Sequence, residues 1–156
     1  MTLTVRTASK ADLPDVLRLY AQPGFDDGEV LPLDRAEAIF DRMQSYPDYR
    51  LFVAELEGRV VGTFALLIMD NLGHLGTPSA ILEDVVVDPT LHGRGIGREL
   101  VHYALTECRA KGCYKLSLSS NLKRSQAHAF YERIGLEKHG YSFQARLDGA
   151  REDSVD

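Results

Sequence analysis

The sequence predicts an α/β fold, α+β in how its strands connect: one mixed central sheet of six to seven strands with helices on both faces. Two apolar, strand-like runs at 49–55 and 60–69 flank Glu57-Gly58, a pair suited to a tight hairpin turn. A further apolar run at 80–87 passes through a cluster of glycines into a long amphipathic stretch at 95–111, and a short apolar run follows at 114–119. Strand, helix and strand in that order make a parallel pair with a right-handed crossover. At 156 residues, 44% of them hydrophobic, the chain can bury a core without disulfides or metals.

Each element has a local cause. Leu3-Thr4-Val5-Arg6-Thr7 alternates and is β-branched, so it is expected to be a strand. Ser9 with Asp12 three residues on has the form of a capping box, and Leu13, Val16, Leu17 and Tyr20 follow at helical spacing. Pro14 is tolerable there because it falls early in the helix. Residues 21–32, with Pro23, Gly24, Asp26, Asp27 and Gly28, are a loop. Ala36, Ile39, Phe40 and Met43 mark a second helix that stops before Pro47, and the hairpin comes next. A loop at 71–79 leads to the strand at 80–87, which ends at Asp88-Pro89. Ile96, Leu100, Val101, Ala104, Leu105 and Cys108 share one face of the next helix, with Gly112 placed as its C-cap. Beyond the strand at 114–119, Ala127, Phe130, Tyr131 and Ile134 mark a last helix ended by Gly135. Residues 139–147 are expected to form one or two closing strands. The order is β-α-α-β-β-β-α-β-α-β. It forms a single domain over residues 1–147, with a polar, disordered tail at 148–156.

Composition excludes several classes. The net charge of −5 argues against a nucleic-acid partner. Cys108 and Cys113 lack zinc-ligand company, and no histidine stands at finger-like spacing, so no metal is expected. They read as reduced, mostly buried thiols. No apolar run approaches membrane-spanning length, and the first ten residues carry no secretory h-region, so no membrane partner and a cytoplasmic location are expected.

The chemistry concentrates at Ile81-Leu82-Glu83-Asp84-Val85-Val86-Val87-Asp88-Pro89 and His92-Gly93-Arg94-Gly95-Ile96-Gly97-Arg98. A buried strand runs into a glycine-dense turn that opens a helix. Glycines let a backbone come close to a ligand, and the first helical turn offers unpaired N–H groups and the positive end of the dipole. Together they make an anion site suited to a pyrophosphate. With glycines at 93, 95 and 97, position 98 is arginine, so the dinucleotide fingerprint fails; no Gly-Lys-Ser/Thr follows, so the P-loop fails too.

This segment resembles the acetyl-CoA signature of the GNAT family, the Gcn5-related N-acetyltransferases: Gln/Arg-x-x-Gly-x-Gly/Ala after a strand ending in valine and Asp-Pro. Gly95 and Gly97 match its two small positions, and His92 stands where the family prefers Gln or Arg. Downstream, Ala127-His128-Ala129-Phe130-Tyr131-Glu132-Arg133-Ile134-Gly135-Leu136 resembles the family's Ala-x-x-Phe-Tyr-Glu-x-x-Gly-Phe block, with Arg124 in place of a frequent Asn. The resemblance extends over roughly residues 3 to 145 and implies a GNAT fold, an acetyl-CoA co-substrate and N-acetyl transfer. In that family the strands on either side of the signature helix splay apart. Val85, Val86 and Val87 would then pair through their backbone with the pantetheine arm. Gly93, Arg94, Gly95, Ile96, Gly97 and Arg98 would hold the pyrophosphate.

Acetyl transfer needs a neutral amine, and holding a lysine-like amine (pKa about 10.4) neutral near pH 7 costs roughly 4–5 kcal/mol. A carboxylate that accepts its proton, directly or through a water, lowers that barrier. Glu83 matches the position of the usual family glutamate. In a regular strand Glu83, Val85 and Val87 share one face, and Leu82, Asp84 and Val86 the other. The resemblance also implies a bulge near 84–86, which decides whether Glu83 or Asp84 handles the amine. Glu83 is the expected base and Asp84 an expected substrate contact. The family places the Tyr131 hydroxyl near the CoA sulfur, making it the expected acid. Arg124 and His128 are expected to meet an acidic group of the substrate; Asp26, Asp27 and Glu29 are suited to attract an ammonium group but are expected to form an ordinary polar loop. Local similarity to glucosamine-6-phosphate and aminoalkylphosphonate acetyltransferases implies a small, phosphorylated or phosphonate amine. No cysteine matches a reactive position, so attack is direct within a ternary complex. The alternatives on the same fold are a protein or peptide acetyltransferase and a non-catalytic acyl-CoA-binding module. The family's habit of pairing through sheet edges or exchanged C-terminal strands makes a homodimer the partner to test.

Overall fold

A computed structural model describes residues 2–149. The tail expected at 148–156 therefore lies, from residue 150 on, outside the described residues. The chain forms two compact units, the first ending at Leu118 and the second beginning at Ser119.

Among the described residues the first unit is a five-stranded sheet with three α-helices. The strands are β1 (Leu3–Thr7), β2 (Tyr49–Leu56), β3 (Arg59–Met69), β4 (Ser79–Val87) and β5 (Leu116–Ser117); the helices are α1 (Leu13–Tyr20), α2 (Leu33–Gln44) and α3 (Ile96–Ala110). Spatial order equals chain order, with β1 to β4 antiparallel and β5 parallel to β4. The β2–β3 hairpin closes at Glu57 and Gly58, both with positive φ, the conformation a two-residue primed turn requires.

Pleat alternation assigns the faces. Leu51 and Val53 of β2 and Ala65 of β3 join Leu13, Val16 and Leu19 of α1 and Ala36 and Phe40 of α2 in one core. Phe52 and Phe64, partners across β2 and β3, point the other way, their rings 4.9 Å apart. Tyr103 of α3 meets Phe52 edge-on at 5.6 Å. Helices α1 and α2 thus cover one face and α3 the other, and each large side chain so buried contributes roughly 1.5–3 kcal/mol. Gly62 lets α3 pack closely: a Cβ there would lie 3.1 Å from Leu100 Cδ1 and press on it. At the entry to α1, the Asp12 carboxylate accepts from the Ser9 N–H at 2.7 Å and hydroxyl at 3.1 Å, the acidic half of the expected capping box. It also takes a bidentate pair from Arg6, at 2.7 and 2.9 Å.

Two expectations are corrected. Among the described residues the sheet has five strands, not six to seven, because 139–147 forms no strand. That stretch alternates apolar and polar residues, but a strand also needs a ladder partner, and Tyr141, Phe143 and Leu147 stay about nine-tenths exposed. The strand expected at 114–119 contracts to Leu116–Ser117. Tyr114 N–H donates to Pro78 O and Ala80 N–H to Lys115 O, and beyond Ile81 the two strands part.

The second unit carries α4 (Ser125–Arg133). Gly135, with φ of 100°, closes it, and the Leu136 N–H donates to Tyr131 O at 3.0 Å. Among the described residues no helix is long and apolar enough to cross a membrane.

Candidate active site

The site in the first unit begins with an irregularity of β4. Glu83 pairs with Ala65 and Val86 with Thr63, so three steps on β4 span two on β3. The surplus residue makes a β-bulge, and Asp84 takes a left-handed φ of 53°. Aspartate is one of the few non-glycine residues that visits this region routinely. The bulge changes which side chains share a face. Glu83 and Val86 both fall opposite residues of the α1/α2 side, so the alternation of a regular strand gives way at the bulge that the resemblance implied near 84–86. Asp84 faces the same side, since its charge acts on Tyr20 of α1 and on Tyr49 of β2, and Tyr49 also feels Glu83. The bulge thus brings both carboxylates together rather than choosing between them.

Their surroundings explain their electrostatics. Both side chains reach solvent, yet nearby apolar surface strips part of their hydration. That desolvation, followed by the charge of Asp84, raises the Glu83 pKa above the ordinary carboxylate range. Desolvation, followed by Asp26, raises Asp84 likewise. The loop after α1 places Asp26: its N–H donates to Tyr20 O at 2.9 Å, and Phe25 stacks on Tyr20 at 4.8 Å. Among the described residues no lysine, arginine or histidine pairs with Asp26, Glu83 or Asp84. Burial, then Asp84, raises the Tyr20 phenol, and a hydrogen bond with Thr63 pulls the other way. Tyr20, Tyr49 and Thr63 therefore belong to this wall, although their spacing marked them only as core or strand residues. Asp26, suited from the sequence to attract an ammonium but expected in an ordinary polar loop, belongs to it too through the folding of that loop.

The glycine turn follows β4. Gly93 and Gly95 have φ of 82° and 79°, and Gly95 is the N-cap of α3. Nothing lies within 4 Å of where a Cβ would stand at either, so the space before the first turn is open. His92, Arg94 and Arg98 are exposed, whereas the Ile96 side chain is buried, leaving only its backbone to meet a ligand. Gly97 follows in the first turn.

The open edge of β4 can be read from its ladder. The Asp88 N–H donates to Val61 O at 2.8 Å, which makes the next pair, Gly62 and Val87, a non-hydrogen-bonded one. The N–H and C=O of Val87 therefore point away from β3, toward the side where β5 has already left. Val86, opposite Thr63, turns its backbone groups to β3, and Val85 sits in the bulge. An open strand edge beside a glycine-bordered helix N-terminus suits an amide-bearing chain ending in a pyrophosphate.

The root of this turn is held by Asp88, which is 3% exposed. Its carboxylate accepts from the Thr90 N–H at 3.0 Å and hydroxyl at 2.8 Å, and lies 3.3 Å from Arg59 Nη2 and 3.6 Å from Arg18 Nη1. Burial alone would raise its pKa, but these bonds and cations outweigh it and hold the carboxylate ionised.

In the second unit Tyr131 is half-buried, with Phe130 edge-on at 5.3 Å. Burial raises its pKa, and Arg124 partly offsets that. The phenol thus stays protonated at neutral pH. Arg124 is exposed at the N-cap of α4. His128 Nε2 is 2.8 Å from Asn121 O, an acceptor, so this nitrogen carries the proton and only Nδ1 is left for another partner. Cys108 is buried, and its thiol is pushed up to about 12, chiefly by desolvation; Cys113 is raised for the same first reason. Neither is a ready nucleophile at neutral pH. Among the described residues no group of three or more His, Cys, Asp or Glu is placed to hold a metal.

Comparison with known proteins bears on the family and the fold. The profile of the acetyltransferase (GNAT) family matches residues 13–136. The chain is 37% identical over 99 residues to a glucosamine 6-phosphate N-acetyltransferase of Trypanosoma brucei brucei, covering 64% of each chain. It is 34% identical over 101 residues to an aminoalkylphosphonate N-acetyltransferase of Salmonella typhimurium, covering 65% of each. It thus spans just under two thirds of the length of these two relatives. A solved structure from Agrobacterium tumefaciens strain C58, assigned as an acetyltransferase, superposes with a TM-score of 0.85 at 35% identity, over 92% of this chain and 99% of that one.

Proposed function

The chain belongs to the acetyltransferase (GNAT) family, and from that premise we propose that it is an acetyl-CoA-dependent N-acetyltransferase acting on a primary amine of a small molecule. The observation that carries this reading is the bulge in β4, which gathers Glu83 and Asp84 on one face just before the glycine turn.

Acetyl-CoA supplies an activated thioester carbon. Val87 and the glycine turn would hold its arm and its phosphates. Asp84 and Asp26, with no cationic partner among the described residues, attract the substrate's ammonium group. Glu83 takes the ammonium proton, directly or through a water, and its raised pKa brings it closer to the operating pH than an ordinary glutamate. The freed nitrogen bonds to the acetyl carbon as the carbon–sulfur bond breaks, Tyr131 gives its hydroxyl proton to the departing sulfur, and the second proton shed by the nitrogen as the amide forms restores the phenol. With both thiols raised, no acyl-cysteine step is needed. The relatives' substrates make amines bearing a phosphate or phosphonate the first class to test, with Arg124 as the group to meet that anion and His128 joining it only as the imidazolium, through Nδ1–H.

The test is thiol release from acetyl-CoA against a panel of amino sugars, their phosphates, aminophosphonates, polyamines, amino acids and a lysine peptide. Amine-dependent release that is lost in Glu83→Gln supports the proposal and names the substrate. Tight CoA binding without turnover on any amine would replace it with an acyl-CoA-binding module.

A further inference from the structure

One hydrogen bond joins α1 to the open edge of β4. The Gln22 side chain, just beyond the end of α1, donates through Nε2 to Leu19 O at 3.0 Å and to Val87 O at 3.4 Å. Val87 O is the carbonyl that points away from β3 into the edge left free by β5. Gln22 Oε1 has no hydrogen-bond partner among the described residues. A half-buried side-chain amide thus stands at an unpaired strand edge, its donor on the strand and its acceptor available.

We propose that Gln22 is a binding residue of the groove along β4, where its amide group holds an amide of the donor's pantetheine arm against the Val87 edge. The inference rests on the reading that this edge takes acetyl-CoA. An arm that pairs with a strand edge has N–H groups that need acceptors and carbonyls that need donors. Val87 C=O has two lone pairs, of which Gln22 takes one and leaves one for the arm. Gln22 Oε1 offers the second acceptor an arm N–H requires. The residue before the acidic loop would therefore touch the donor.

Calorimetric titration of CoA and of adenosine 3′,5′-bisphosphate, the phosphate end without the arm, separates the possibilities. In Gln22→Ala, CoA binding weakens by roughly 5- to 10-fold, the loss of one hydrogen bond, while the nucleotide binds as it does to the wild type. Gln22→Met, of similar length with neither donor nor acceptor to match the amide, shows the same selective loss, and it carries the test if the alanine variant does not fold. Unchanged CoA affinity, or an equal loss for both ligands, overturns the assignment. Wild-type protein that binds neither ligand overturns the donor site itself, and Gln22 with it.

Discussion

Asp84 combines three features: a left-handed backbone, a partly stripped carboxylate and a neighbouring negative charge. Because its folded pKa is raised, the stability it contributes is full below the unfolded pKa and is lost as pH rises through the folded value. At neutral pH its ionised form is therefore a cost. Asp84→Asn, whose side chain tolerates positive φ, should raise the melting temperature at pH 7, and the gain should shrink toward pH 4. The same variant should raise the KM for the amine. Glu83→Gln should lower kcat by roughly 10²-fold or more with little change in CoA affinity. In the wild type, kcat/KM should fall as pH drops through a pKa above the ordinary glutamate range, because protonated Glu83 accepts no proton. A pH profile whose acidic limb lies at the ordinary value, or survives Glu83→Gln, would reject Glu83 as the base.

At the scale of elements, the turn into α3 and the seat of α3 on the sheet are separable. Gly95 occupies φ of 79° at the N-cap. Gly95→Ala should cost about 1–2 kcal/mol for the left-handed backbone, seen in urea unfolding, and should weaken CoA binding as well. Leu100 is fully buried against Gly62. Leu100→Ala should cost about 2–5 kcal/mol through the cavity it leaves, with CoA affinity nearly unchanged in the folded fraction. The turn was legible in the sequence because three glycines in five residues have few other uses at a helix start. The bulge was not legible from Glu83-Asp84-Val85-Val86 itself, because it exists only as a mismatch of count against β3. The closing strand failed for the related reason that alternation reports a face and not a partner.

For the whole molecule, acid stability should follow Asp12. The hydrogen bonds from Arg6, more than any other cause, hold its pKa down at about 2 from an ordinary 3.8. A lowered folded pKa stabilises above the unfolded value and is lost as pH falls toward the folded one. Asp12→Asn should therefore lower stability by about 2 kcal/mol at pH 7 and by almost nothing near pH 2, read from urea unfolding at both.

What the sequence determined by itself was whatever depends on near neighbours: the Glu57-Gly58 hairpin, the apolar faces of α1, α2 and α3, and the glycine turn at a helix start. These follow from periodicities of 2 and 3.6 residues and from dihedrals that only certain side chains accept. The tertiary structure alone decided that both Glu83 and Asp84 face the α1/α2 side, that Tyr20, Tyr49 and Asp26 share their field, and that Gln22 reaches Val87. Each of these depends on register between distant segments, and a single extra residue opposite Phe64 changes the outcome without leaving a local mark in the chain.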